Sequence, residues 1–238
     1  MTTALHLADA GEAADLAAFL ARLIHYDKAA AVRLQAGGGV LAVFGRPPSF
    51  EVLAIRTARL AGDSVLDTTV SAGELLEGIE ESADAVTVPA AVTGPPWTGL
   101  LPPRGGWQRV PGLPAPEALV RAVAAAVAEF RARDEALPPQ HRTRSERDRI
   151  GREIWSRTLG DTHLPLRAAH AAQSLGFLRP ARAAALVGGG TSPGTAPLPQ
   201  PLSLLSAGGW LRLSTPYGSV AVRTGGPAGL SGLTVTPA

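Results

Sequence analysis

Three consecutive glycines, Gly37, Gly38 and Gly39, separate two short apolar runs, AAAVRLQ and VLAVFGR. Two such runs around glycines predict a β-hairpin, because glycine readily adopts the positive φ angles that tight turns require. Further apolar runs at residues 51–60 and 64–70 predict a third and a fourth strand. A hairpin joins antiparallel strands, so the N-terminal part of the chain is expected to build a mostly antiparallel sheet.

Helices are predicted before and after these strands. Residues 12–24 repeat apolar side chains at the spacing of a one-faced amphipathic helix. Ser71 and Glu74 fit a capping box, which predicts a helix over 72–81. A longer apolar stripe predicts a helix over 117–135 that packs across the sheet. Strands and helices in this arrangement indicate an α+β fold with packed helices.

The C-terminal part shows two helical patterns, then glycine and proline, then two strand patterns around Pro216 and Tyr217. The predicted division is an α+β domain at 1–137, a helical segment at 141–187 that ends in a short helix from 180, a linker at 188–201, and a β-hairpin with a loose tail at 202–238. A hairpin is marginally stable alone. The returning hairpin is therefore expected to dock on the N-terminal sheet, on the helices or on a second subunit.

Composition excludes several kinds of chemistry. The chain has no cysteine, so disulfides, thiolate catalysis and iron–sulfur ligation are excluded. His163 and His170 are too far apart in sequence to bind one ion from a regular helix, and no metal, cofactor or catalytic residue is predicted. The N-terminus lacks a basic segment followed by an apolar run, and no apolar stretch is long enough to span a membrane. A cytoplasmic protein without membrane association is expected.

Charge is distributed unevenly along the chain. Residues 1–140 contain 11 basic and 16 acidic side chains, whereas residues 141–182 contain nine and four. Arg142, Arg144 and Arg147 lie at the start of the first predicted helix of this basic segment, where the helix dipole disfavours cations. None of the three has a well-placed acid on its own helix. They are expected to face an interface, formed with the acidic first half, with a second subunit or with a phosphate.

The second helix of the basic segment offers Arg167 and His170 as further candidates for contact with an anion or an interface. Two helices joined by a glycine-containing turn are loosely similar to a helix-turn-helix, whose second helix enters the DNA major groove. Binding of DNA or RNA is therefore one alternative. The other reading of the same charges is a solvated helix surface, which is common.

Residues 93–117 form the longest irregular stretch of the first half and contain seven prolines and five glycines. Trp97 and Trp107 are expected to be packed down, because exposed indoles are costly. With Arg104 they are the candidates for a loop that lines a pocket or a partner surface. The alternative is a loop that only covers one end of the sheet.

Three segments carry a resemblance to a known group: LIHYDKAAAVRLQ, LDTTVSAGELL and WTGLLPPRGGWQ. They resemble conserved, uncharacterised proteins restricted to actinobacteria, and the excess of arginine over lysine, 21 to one, resembles a protein from a high-GC member of that phylum. The resemblance covers most of residues 10–180 and rests on the general character of the sequence, not on a signature motif. It implies no activity, and it favours a non-enzymatic housekeeping or regulatory role.

The resulting hypothesis is a homodimeric, non-enzymatic binding or scaffolding protein that acts through its basic helical segment and its tryptophan-bearing loop, with a protein partner as one possibility. The homodimer is predicted from the isolated hairpin and the opposite charges of the two halves. A nucleic-acid-binding regulator is the second hypothesis. An enzyme with a pocket under residues 93–117 is the third, and it requires a carboxylate of raised pKa in that pocket.

Overall fold

The computed structural model describes residues 3–48, 50–80, 82, 84–179 and 202–224. The predicted short helix from 180, the predicted linker at 188–201 and residues 225–238 of the predicted tail lie outside this part of the chain.

Five α-helices and eleven strands form in the described residues. The helices are Ala10–Tyr26 (α1), Ala72–Glu77 (α2), Pro116–Glu135 (α3), Arg144–Trp155 (α4) and Leu166–Ser174 (α5). The strands are Thr3–His6 (β1), Ala31–Gly37 (β2), Val40–Gly45 (β3), Leu53–Arg59 (β4), Leu66–Ser71 (β5), Ile79–Glu80 (β6), Ala85–Val88 (β7), Gln108–Val110 (β8), Ser203–Ala207 (β9), Trp210–Thr215 (β10) and Gly218–Arg223 (β11). Every strand pairing is antiparallel, so the α+β prediction is confirmed.

Eight of the strands form one large sheet in the order β5-β2-β3-β4-β11-β10-β9-β8. The predicted hairpins at Gly38 and at Pro216 are both present, as β2–β3 and β10–β11. The C-terminal hairpin docks on the N-terminal sheet, where β11 pairs with β4 in the register Ser219 with Ile55. The remaining three strands form a small sheet in the order β1-β7-β6.

The inner face of the large sheet contains the core. Strict alternation places Val32 and Leu34 of β2 on this face, together with Leu213 of β10 and Val220 of β11, all fully buried. Helices α1 and α5 pack on this side, against β4 and β11 respectively. The predicted stripe of α1 is buried, including Phe19 at 1% exposure.

Helix α3 does not pack across the sheet as predicted. Its buried residues Leu119, Val123 and Ala126 belong to a layer in which α3 contacts α4 and α5. Helix α5 already occupies the sheet surface at β11, so α3 lies one layer further out. The predicted helix at 72–81 is also shorter than expected, because Gly78 ends it and the next two residues pair with β7.

The outer face of the large sheet carries a second, smaller apolar cluster. Phe44, Leu53, Ile55 and Ala221 are buried there. Trp97, Leu101 and Trp210 pack against them, so the proline-rich loop crosses this face and does not merely cover one end of the sheet. The outer face is therefore partly covered by loop instead of helix.

Candidate functional site

The two basic helices are held by local signals that the sequence contains. Thr143 caps α4, accepting a hydrogen bond from the Glu146 backbone N–H at 3.2 Å. The chain then turns at Gly160, which has φ +55°, and α5 ends in a Schellman motif. In that motif the Phe177 N–H donates to the Ala172 carbonyl at 2.7 Å and the Gly176 N–H donates to the Gln173 carbonyl at 3.0 Å.

Two of the three arginines expected at an interface contact the end of α3 in the acidic first half. The Arg147 Nε lies 2.7 Å from Asp134 Oδ1. Arg142 donates to the carbonyls of Leu137 at 2.9 Å and Glu135 at 2.8 Å, which are at the C-terminal end of α3. Cations are favoured at that end of a helix dipole, which explains why Arg142 binds there.

Further salt bridges join α3 to α4 and the segment after it. Arg133 donates to both carboxylate oxygens of Glu153 at 2.8 Å, and Arg157 donates to both oxygens of Glu129 at 2.6 and 2.8 Å. Hydrogen bonds from Arg157 and Arg133 hold the pKa values of Glu129 and Glu153 below their usual range. We call these two pairs the α3–α4 clasp. Much of the charge asymmetry of the sequence is thus neutralised within one chain.

One salt bridge of α4 forms between different residues from those that the spacing favours. The spacing of Asp148 and Arg152, four residues apart on one helix, favours a pair, but Asp148 lies instead 3.9 Å from Arg144, one turn earlier. Among the described residues, no carboxylate lies within 4 Å of Arg152. Arg144 is 95% exposed, so its long contact with Asp148 is weak.

A hollow of about 1050 Å³ lies beside these arginines, and we call it the basic groove. Helix α4 forms one wall, α5 contributes Arg167 and His170, and the loop between β3 and β4 forms the other wall. Its charged lining residues are Glu51, Arg144, Arg147, Asp148, Arg152 and Arg167. Four arginines and two carboxylates line the groove. Because Arg147 is paired with Asp134 outside this lining, one positive charge remains in excess.

Aromatic rings are stacked in the groove. The rings of Trp155 and His170 are 4.3 Å apart between centroids and nearly parallel, at 20°. Phe50 contacts the other side of His170 edge-on, at 5.0 Å, and Phe130 also lines the groove. Burial among these rings lowers the pKa of His170, so the imidazole is neutral at pH 7 and offers an uncharged surface.

Arg167 is the least satisfied of the cations in the groove. Its Nε is buried and has no hydrogen-bond partner among the described residues, and the nearest carboxylate oxygen, on Glu51, is 3.9 Å away. Glu51 is 74% exposed and has a φ of 51°, an unfavourable conformation for a residue with a side chain. A buried N–H without a hydrogen-bond partner is costly.

The tryptophan-bearing loop forms a separate hollow on the outer face of the sheet, with a volume of about 450 Å³, which we call the outer pocket. Arg104 lines this pocket. Trp107 fixes the loop by donating from its indole Nε1 to the Pro103 carbonyl at 3.0 Å. Trp97 does not line the pocket but packs on the outer apolar cluster. Of the three loop candidates, Arg104 lines the outer pocket, Trp107 holds the loop in place and Trp97 packs on the outer face of the sheet.

The described residues contain no group of three or more His, Asp or Glu side chains placed to hold a metal ion. None of the helices in this part of the chain is long and apolar enough to cross a membrane. The described lining of the outer pocket contains no carboxylate, and a hydrogen bond from Arg33 lowers the pKa of nearby Asp67. A further hollow of about 750 Å³ lies beside the loop and includes Trp97 and Asp27 in its lining, so the enzyme hypothesis stays a prediction.

The sequence of the chain matches two protein-family models. A family model described as Domain of unknown function (DUF8185) matches residues 102–227, slightly more than half of the chain. The chain belongs to the DUF8185 family. A second model, Domain of unknown function (DUF8010), matches residues 1–99. No curated protein and no solved structure matches the chain.

Both hollows are built from both matched regions. In the basic groove, α4 and α5 come from the DUF8185 region, whereas Phe50 and Glu51 come from the DUF8010 region. In the outer pocket, the floor at Phe44 and Ile55 comes from the DUF8010 region and Arg104 from the DUF8185 region. The two regions must be together in one folded chain for either hollow to form.

Sequence reasoning found four groove residues and missed others. Arg144, Arg147, Arg167 and His170 were predicted and are brought together in the basic groove, whereas Arg142 lies outside its lining. Arg152 and Phe50 were missed, since Arg152 seemed paired by spacing and Phe50 lies in a distant loop. Arg212, in the outer pocket, was also missed. The alternation of WLRLST in β10 was its available signal, because it places a charge on the face of the sheet opposite Leu211 and Leu213.

Proposed function

We propose that this DUF8185 protein is a non-enzymatic binding or scaffolding protein that holds an acidic segment of a partner protein in the basic groove. The proposal rests on the incomplete pairing of two arginines in the basic groove. Arg152 has no carboxylate within 4 Å among the described residues, and the buried Nε of Arg167 has no hydrogen-bond partner there. Carboxylates suit arginine because the planar guanidinium can donate two parallel hydrogen bonds to them.

The aromatic stack of the groove supports a peptide as the ligand. Trp155 and His170 present a flat, uncharged surface between the arginines. Aromatic residues and arginine are the residue types that contribute most at protein interfaces. An acidic segment that includes an apolar or aromatic side chain fits this combination of rings and cations.

Nucleic acid is the alternative ligand, and the charges favour it less. A long polyanion requires many unneutralised cations along its path, but Arg133, Arg147 and Arg157 are paired with carboxylates. Five of the nine residues of α5 are buried. Helix α5 therefore has little surface available to enter a DNA groove.

The test is fluorescence anisotropy with two labelled probes, the peptide Glu-Glu-Phe-Glu-Glu and a 12-nucleotide single-stranded DNA. We expect the peptide to bind, and Arg152→Gln and Arg167→Gln each to weaken binding about tenfold, as expected for loss of a charge-assisted hydrogen bond. Arg131→Gln is the matched control, since Arg131 is exposed on α3 and does not line the groove. Absence of peptide binding, equal loss with the control, or tighter DNA binding with a steep salt dependence would contradict the proposal.

We also propose that the protein is a homodimer, that it is cytoplasmic, and that its family is restricted to actinobacteria. The hairpin that suggested a second subunit pairs with β4 of its own chain, so the homodimer stays a prediction supported by charge alone. Sedimentation velocity at micromolar concentration tests it, and a monomer would contradict it. Absence of cysteine supports the cytoplasmic location, and the arginine excess supports the restriction to one phylum.

A further inference from the structure

The outer pocket lies on the face of the large sheet that is opposite to α5. Strand alternation directs Gln35, Phe44, Ile55 and Arg212 to this face from four strands, β2, β3, β4 and β10. The loop residues Pro102, Pro103 and Arg104 close the hollow from above. Its volume of about 450 Å³ lies within the range of about 300–1,000 Å³ that is usual for small-molecule sites.

Arg212 is a cation without a counterion in this pocket. Its Nε donates to Ser219 Oγ at 2.8 Å, and its guanidinium lies 5.7 Å from the centre of the Trp107 ring. No carboxylate of the described residues lies within 4 Å of it. Burial lowers the pKa of Arg212, with no charged neighbour acting to raise it. A partly buried arginine without a counterion can bind an anionic ligand, which would neutralise its charge.

A second cation and an apolar floor complete the pocket. Arg104 stands at the rim on the proline-rich loop and, among the described residues, also has no carboxylate within 4 Å. The hydrogen bond from Trp107 to Pro103 holds this part of the loop in place. Phe44, Ile55 and Val40 provide apolar surface on the sheet side. The lining therefore combines cations with apolar surface, and this combination defines the chemistry of a suitable ligand.

We propose that the outer pocket binds a small organic monocarboxylate with an apolar body. The carboxylate accepts hydrogen bonds from the Arg212 guanidinium, which can donate to it in pairs, Arg104 attracts the anion through its charge at the rim, and the apolar body covers Phe44 and Ile55. A free phosphate fits less well, because it would leave this apolar surface uncovered. The site is separate from the basic groove and does not depend on the function proposed for it.

Isothermal titration calorimetry tests this site with 4-phenylbutyrate as the probe and 4-phenyl-1-butanol as its uncharged counterpart. We expect saturable binding of the carboxylate and at least tenfold weaker binding of the alcohol. Arg212→Met is expected to remove the preference for the carboxylate. Arg223→Met is the matched control, because Arg223 lies on the same sheet face, stacks on Trp210 and does not line the pocket.

Arg104→Met provides a second variant that does not depend on a buried position, since Arg104 is exposed. It is expected to weaken 4-phenylbutyrate binding several-fold while leaving the thermal midpoint of unfolding unchanged. The proposal is overturned if 4-phenylbutyrate, octanoate and benzoate all fail to bind. It is also overturned if acid and alcohol bind equally, or if both pocket variants bind like the Arg223→Met control.

Discussion

At the scale of single residues, the most consequential charge in the core is Arg56. It lies in the centre of β4 with 6% exposure, and its Nη2 is 3.0 Å from Glu12 and 3.4 Å from Asp15 of α1. Its Nη1 also donates to the Tyr217 carbonyl at 2.9 Å, in the turn of the C-terminal hairpin. One side chain thus connects the first helix, the middle of the sheet and the last hairpin.

The first prediction concerns the partner of this arginine. Glu12→Gln leaves buried Arg56 with the Tyr217 carbonyl and with a longer contact to a single carboxylate, that of Asp15. The substitution also removes the contact of Glu12 with Arg59, and we expect a loss of about 3 kcal/mol in the free energy of unfolding. Asp67→Asn is the matched control, because the Arg33–Asp67 pair is 29% and 47% exposed and such pairs contribute about 0–1 kcal/mol. Urea unfolding followed by circular dichroism measures both, and equal losses would show that the Arg56 cluster is not a stabilising centre.

Individual residues also show which parts of the candidate site can be predicted from the sequence. The arginines at the start of α4 were recognisable as a basic cluster, although Asp148, four residues after Arg144, lies 3.9 Å from it. Their destinations were not, since Asp134 is 13 residues away from Arg147 and its approach depends on how α3 packs on α4. For the same reason Arg152 seemed satisfied in the sequence but has no carboxylate partner within 4 Å among the described residues. Pairing by spacing is reliable only where tertiary contacts do not compete.

At the scale of elements, local signals predicted most helices and hairpins correctly. The caps at Ser71 and Thr143 and the Schellman end of α5 are all observed. Strands β1, β6, β8 and β9 were missed, because β1, β6 and β8 have only four, two and three residues and β9 follows a proline-rich stretch. A short strand forms because a neighbouring edge is available, and that information is absent from a local pattern.

The second prediction concerns the α3–α4 clasp and its dependence on pH. Because the folded-state pKa values of Glu129 and Glu153 are lowered by Arg157 and Arg133, the clasp stabilises the protein above the ordinary carboxylate pKa. This contribution is lost as pH falls through the lowered values. The double variant Glu129→Gln, Glu153→Gln is expected to melt a few degrees lower at pH 7, with the difference shrinking as the pH falls below the ordinary carboxylate pKa.

Differential scanning fluorimetry across this pH range measures the effect. Glu135→Gln is the control, because Glu135 is exposed at the C-terminal end of α3 and its carboxylate has no salt bridge within 4 Å among the described residues. The clasp residues are solvent-exposed, so high salt is also expected to reduce the difference. A difference that persists unchanged at pH 3 would show that the substitutions act through packing and not through charge.

At the scale of the whole molecule, the sheet crosses the border between the two family matches. Strands β2 to β5 lie in the DUF8010 region and β8 to β11 in the DUF8185 region, yet they form one sheet through the β4–β11 pairing. The core is likewise shared, since α1 packs on β4 and α5 packs on β11. The two regions therefore behave as halves of one structure and not as independent units.

The third prediction follows from this shared sheet. A fragment of residues 1–100 lacks β11, α3 and α5, so it exposes the open edge of β4 and loses the cover of its inner face. We expect this fragment and the fragment 101–238 each to be unfolded or aggregated alone, and the whole chain to unfold in one cooperative transition. Far-ultraviolet circular dichroism and calorimetry measure these properties.

A cut elsewhere in the chain supplies the control. A protease site inserted at position 195, in the predicted linker, separates the chain after α5 and before β9. The two pieces are expected to stay associated after cleavage, because β11 remains hydrogen-bonded to β4 and Arg56 still binds the Tyr217 carbonyl. A folded 1–100 fragment would place the structural border at the family border and would require each hollow to form between two separately folded domains. Dissociation after the cut at 195 would show that the β4–β11 pairing does not hold the two pieces together.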